Sequence, residues 1–355
     1  MRGPVGLVLL AALAVVPALR PPEQAPVPRA DPGARDAEAW LASLDAELGR
    51  LNAAAAAVTW HLAVGQGRGL AALAGRLAER QAAWRSRRCA RAPALASLDA
   101  AGRRQVYLLC RGPALTPASA RQLTVAAGRQ MEVYSSGRVC RRHKEPCYSG
   151  EPDLERLMKR SRDPAELLWG WQQWRRAVGP PALRPFLVTM ALQNQAARAN
   201  GYADMGEVWR EELETPHLED LVDELYHQVE PLYKLLHAYV RHCLVRYYGD
   251  QLVDPRGPIP AHLLGDMWAQ NWAALGDVLA APRLDLTAAL RHRNYTVEAM
   301  ARHAEDFYTS LGLDAMTPTF WRQSQLRAPP GSNTTCHGTA ANMFRPGDYR
   351  RVPVP

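Results

Sequence analysis

The most regular alternation of apolar and polar positions lies between residues 215 and 272. Leu218, Leu221, Val222, Leu225, Val229, Leu232, Leu236, Tyr239, Val240 and Leu244 recur at three- and four-residue steps, the period of a helix with one apolar face. Thr215 and Pro216 predict its start, a hydroxyl cap ahead of a first-turn proline, and Gly249 predicts its stop. Pro231 predicts a kink, or a break into two helices, near Val229. The turn Gly257-Pro258-Ile259-Pro260 then predicts a short helix carrying Trp268 and Trp272, with the amide of Gln270 between them facing a cleft. Upstream, Ala37, Trp40, Leu41, Leu44, Leu48 and Leu51 mark one face of a helix over 36–64, and a second helical run covers 70–84. Long alternating β-branched runs are absent, so the fold class is mainly α.

The chain has 355 residues, enough to bury a sizeable core, and a formal net charge of +8. Arginines cluster at Arg85, Arg87, Arg88 and Arg91 and again around Arg141, but no recognition motif accompanies them. Solvated surface is the expected reading, with no nucleic-acid partner. Residues 1–18 carry Arg2, an apolar stretch too short to span a bilayer, and small residues at a cut site. Export through a secretory signal is expected, followed by a proline-rich leader over 19–35, with no later spanning segment. Six cysteines in an exported chain argue for oxidised pairs. Cys140 and Cys147 enclose a short polar loop that a disulfide could staple, Cys243 reads as a buried free thiol, and Cys89, Cys110 and Cys336 have no assignment. Asn294 and Asn333 head glycosylation sequons.

Several strings resemble one family in the same order: EPDLERLMKRSRDPAELLWGWQQWRRAVG at 151–179, NQAARANGYADMGEVWREELETP at 194–216, PLYKLLHAYVRHCL at 231–244, RGPIPAHLLGDMWAQNW at 256–272 and AEDFYTSLGLDAMTPTFW at 304–321. They are similar to the angiotensin-converting enzyme family of zinc peptidyl-dipeptidases. The resemblance is strong over 131–337, weaker before and lost after about Phe344. It implies the helical half of a deep-cleft zinc-peptidase fold, incomplete at the C-terminus. Lid-like helices would occupy 36–130, a partial peptidase domain 131–344 and a divergent tail 345–355. Ordinary surface helices remain the alternative to a lid.

The resemblance also implies peptide substrates, zinc and chloride as cofactors, and a disulfide between Cys140 and Cys147. It carries substrate contacts to His337, Gly338 and Gln270, a specificity-pocket carboxylate to Glu151 and a chloride contact to Arg175. On the residues alone, Glu151 is a helix-start carboxylate, Arg175 a helix-surface arginine, Gln270 a helix-end amide and His337 a loop histidine.

Hydrolysis on zinc needs three protein ligands and a carboxylate base, met on a helix by the HExxH pattern. None of the ten histidines stands four residues from another. His237 and His242, five apart, would point about 140° from one another on a helix. The family's zinc helix and its later glutamate ligand are expected beyond Cys336, so neither zinc nor chloride is expected on this chain. Three readings follow: a peptidyl-dipeptidase family member releasing C-terminal dipeptides, a secreted non-catalytic fragment or pseudoenzyme that binds peptide or protein, and a chain without a stable fold. The oligomeric state is open.

Overall fold

The computed structural model describes residues 34–64, 69–141, 147–280, 286–327 and 339–352. The fold is mainly helical, with two short antiparallel hairpins. The described residues form two compact units, one from 157–169 and 209–280, the other from 34–156, 170–208 and 286–352.

The larger unit begins with α1 (Ala34–Ala63), close to the expected 36–64, and α2 (Leu70–Ala90), which runs past the expected end at 84. They are tied by Glu47, whose carboxylate accepts from Trp84 Nε1 at 2.6 Å and Arg88 Nε at 3.0 Å. Asp99 caps α3 (Ala100–Cys110) by accepting from Gly102 N at 2.7 Å, and Thr116 caps α4 (Pro117–Ser136) ahead of Pro117. The unassigned Cys89 and Cys110 form a disulfide across 21 residues, a loop whose closure stabilises by about 3 kcal/mol. Beside it, half-buried Arg85 donates to the carbonyls of Leu109 and Arg111, and Asn200 Nδ2 donates to those of Cys110 and Gly112. Helix ends expose unsatisfied carbonyls, and these side chains satisfy them.

Strands β1 (Arg138–Cys140) and β2 (Cys147–Ser149) form a hairpin in which Cys140 faces Cys147 and is disulfide-bonded to it. The chain then turns through Gly150–Leu154 into α5 (Glu155–Arg160) and the long α6 (Pro164–Arg198), followed by α7 (Met205–Glu211). Later come α9 (Thr287–His292), α10 (Val297–Ser310) and α11 (Pro318–Gln323), the last two capped by Thr296 and Thr317.

A second hairpin pairs β3 (Thr339–Asn342) with β4 (Tyr349–Val352), so residues read as tail supply a strand. Met343 packs with Trp60 and Val64 of the α1 region. Asp348, 7% exposed, accepts from Arg350 Nε and Nη2, both at 2.8 Å. Those bonds hold the Asp348 carboxyl below its ordinary value, against an unfolded value near ~4. Because the folded pKa is the lower one, this stabilisation is complete above about pH 4 and disappears as pH falls through the folded value. Arg350→Gln should therefore flatten the acid limb of stability against pH, read as urea midpoints between about pH 2 and about pH 6. An unchanged acid limb would show that the pair contributes nothing.

In the smaller unit, α8 (Leu218–Tyr248) begins two residues later than Thr215 and Pro216 suggest. Thr215 Oγ1 donates to Leu213 O instead, and His217 enters the helix at φ 53°. The helix passes Pro231 without a break, and Gly249, at φ 88°, ends it. Its apolar stripe is not a buried face. Val240 and Leu244 are buried, whereas Leu221, Val222, Leu225, Val229, Leu232 and Leu236 are exposed, because no described residue covers them. Cys243 is a half-buried free thiol.

After α8 the chain is held by Arg162, all five of whose N–H groups are used. They reach Asp277 at 2.8 and 3.0 Å, Ala274 O at 2.6 Å, and the carbonyls of Lys159 and Ser161. The bidentate pairing raises the Arg162 pKa.

Candidate functional site

Gln270 does not lie on a helix. Residues 261–263 and 272–275 make single tight turns, and the backbone between them is irregular, with Gly265 at φ 85° and Ala269 at φ 57°. The cause is Asp266. Its side chain, 8% exposed, accepts from Trp268 N at 2.7 Å, Gln270 N at 3.2 Å and Asn271 N at 2.7 Å. An aspartate that offers the following amides an acceptor competes with helical hydrogen bonding, and here it wins. Asn271 then caps the next turn through Ala273 N, and Trp272 Nε1 donates to Ala269 O at 3.0 Å. The result is a fixed loop with the Gln270 side chain exposed.

In the larger unit, Glu151 follows β2 with an extended backbone, φ −126° and ψ 131°. The helix start that its position suggests is taken by Asp153, which accepts from Ser149 N and Ser149 Oγ. Glu151 Oε1 accepts from Tyr134 Oη at 2.9 Å. Burial, and then the Glu151 charge, push the Tyr134 phenol well above its ordinary pKa, so it remains a donor across the physiological range. The Tyr134 ring meets Trp174 edge-on at 5.5 Å, and Trp174, 1% exposed, lies against Gly137 and Gly150 on either side of the hairpin. Glu151, Tyr134 and Trp174 are thus one assembly, of which sequence reading finds only Glu151. Tyr134 carries no sequence signal. Asp266 does carry one, the Gly-Asp dipeptide of a turn.

Arg175 lies one residue on from this assembly. Its guanidinium stacks 3.6 Å from the Trp171 ring centroid and donates to Trp171 O, and burial draws its pKa down. The indole N–H groups of Trp171 and Trp174 are buried without a hydrogen-bond partner. Two orphaned donors and a cation on neighbouring positions are chemistry for an anion rather than a metal. Among the described residues no three His, Cys, Asp or Glu side chains gather as metal ligands. The described donors at this site, two indole N–H groups and a guanidinium, do not fit zinc.

His337, Gly338 and Asn333 lie outside the described residues, as do residues 1–18 and the leader to 33. Asn294 is exposed at φ 53° in the turn between α9 and α10. Among the described residues no helix is long and apolar enough to cross a membrane.

A family model described as Angiotensin-converting enzyme matches residues 32–352. Angiotensin-converting enzyme of Rattus norvegicus is 42% identical over 247 residues, covering 67% of this chain and 19% of the relative. Angiotensin-converting enzyme-like protein Ace3 of Mus musculus is 44% identical over 224 residues, 61% of this chain and 30% of the relative. Angiotensin-converting enzyme of Theromyzon tessulatum is 35% identical over 226 residues, 62% of this chain and 37% of the relative. The chain spans about a fifth to two fifths of the length of these relatives.

Proposed function

The chain belongs to the angiotensin-converting enzyme family of zinc metallopeptidases, and from that premise we propose that its residues form part of the wall of a peptidyl-dipeptidase groove. In the same proposal these 355 residues, taken alone, bind peptide without cutting it. One observation carries this reading: in a match over 32–352, no two histidines have the four-residue spacing that a helical zinc site requires.

Gln270 would meet the C-terminal carboxylate of a peptide. The three amides anchored on Asp266 support that role, since they fix the backbone from which the glutamine projects. Glu151 would line a specificity pocket, and the bond from Tyr134 supports that role by fixing where its carboxylate stands. His337 and Gly338 would bond the peptide backbone. Arg175, beside the orphaned indoles of Trp171 and Trp174, would stand at the family's chloride contact, with no chloride held by this chain taken alone.

Residues 1–18 would direct export, 36–130 would supply lid-like helices, and Asn294 and Asn333 would accept glycans. The two disulfides support an oxidising compartment, and the exposed turn at Asn294 is open to modification.

The test is zinc analysis of the purified chain, dipeptide release from a blocked tripeptide with and without chelator, and calorimetric titration of that tripeptide as free acid and amide. Substoichiometric zinc, no turnover and a preference for the free acid are expected. One zinc per chain with chelator-sensitive turnover would overturn the proposal.

The exposed stripe of α8 favours a second reading, in which the chain alone self-associates or fails to hold a single fold. Size exclusion combined with circular dichroism separates the two, the first reading requiring a helical species of defined size.

A further inference from the structure

The arginine cluster on α2 divides by what its members touch. Arg85 and Arg88 face inward, onto the carbonyls of Leu109 and Arg111 and onto Glu47. Arg87 and Arg91 face solvent, and Arg76 and Arg80 join them. Arg80 and Arg87 follow Arg76 by 4 and 11 residues, which confines the three to a sector about 40° wide and about 17 Å long, and Arg91 caps the C-terminal end of the same helix.

Ala72, Leu73 and Ala90, also exposed, lie near this sector and add no charge. Glu79 stands at its margin, half-buried, with Arg121 at 3.8 Å. None of the four arginines has a carboxylate partner among the described residues. Between 69 and 121 ten arginines stand against two acids, Glu79 and Asp99, a surplus equal to the formal +8 of the entire chain. The chain's net charge is therefore concentrated on one segment.

We propose that this face of α2 binds a sulfated polysaccharide. Guanidinium groups present paired donors that match the oxygens of a sulfate or phosphate ester, and a straight row of them matches a linear polyanion. Two features select among polyanions. Cys89–Cys110 fastens the end of this same helix, and disulfides persist where sulfated polysaccharides occur and nucleic acids ordinarily do not. Single-stranded nucleic acid is usually gripped by aromatic stacking. The nearest ring, Trp84, is half-buried beside the sector and committed to Glu47. Leu73 is the one large exposed apolar residue on the helix, too little for insertion into a lipid surface.

The test uses the full chain on immobilised heparin, with salt elution and solution competition. One variant carries Arg76→Gln, Arg80→Gln, Arg87→Gln and Arg91→Gln. A second removes equal charge elsewhere, at the exposed Arg160, Arg184, Arg198 and Arg293. Circular dichroism confirms that both are folded. The wild-type and second variant should elute together at high salt, and the first variant near the start of the gradient. Four ion contacts imply roughly a hundredfold loss of affinity between about 50 and about 200 mM salt, and a log–log slope lowered by about three in the first variant. Fully desulfated heparin and duplex DNA of matched charge should compete poorly. Equal loss in both variants, effective competition by DNA, or no retention of the wild-type would overturn the proposal.

Discussion

Gly150→Ala will destabilise the protein by about 3 kcal/mol, while Gly128→Ala will stabilise it by about 0.5–1 kcal/mol. A Cβ at Gly150 would lie 2.5 Å from Cη2 and from Cζ2 of Trp174, closer than such atoms approach. The indole cannot swing aside, because it is 1% exposed and a Cβ at Gly137 would already stand 2.9 Å from the same ring. Hairpin and helix would have to separate, and the Tyr134–Glu151 bond would be strained with them. At Gly128, exposed inside α4 and with no proline beside it, nothing lies within 4 Å of the added methyl, so only the gain in helix propensity remains. Urea midpoints of the two variants check this. A common sign would mean that the ring is not confined as described.

Asp266→Ala will have the second large effect, about 2–3 kcal/mol of stability together with loss of preference for peptides ending in a free carboxylate. Three amides lose their acceptor at once, and Ala269 loses the contacts that keep it at φ 57°. Asp266→Asn keeps the shape but turns one acceptor into a donor, so it should keep part of the stability and lose most of the selectivity. Calorimetry with paired acid and amide peptides distinguishes the two consequences. If both variants discriminate as the wild-type does, Gln270 is not positioned by Asp266.

What could be read along the chain depended on how local the physics was. The helices over 36–64 and after residue 215 were legible because their apolar period is uninterrupted. The start of α8 was misplaced because Thr215 and Pro216, a good cap on paper, serve the preceding turn. The helix expected around Trp268 fails for a related reason, the carboxylate of Asp266 outcompeting intrahelical bonding. Cys89 and Cys110 could not be paired by eye, since their approach depends on how α2 and α3 return past one another. At the candidate site, the family motifs point to Gln270, Glu151 and Arg175. Tyr134 is found only when α4 and the hairpin are seen together.

Helix α8 is fastened at one end. Val240 and Leu244 are buried near its C-terminus, whereas Leu232 and Leu235 are each 71% exposed and the turns before them have no burial to hold them. An isolated helical stretch of that length is only marginally stable in water. Amide protons from Leu218 to about Leu236 should therefore exchange with deuterium long before those around Leu244, the helix opening from its free end while its root stays shut.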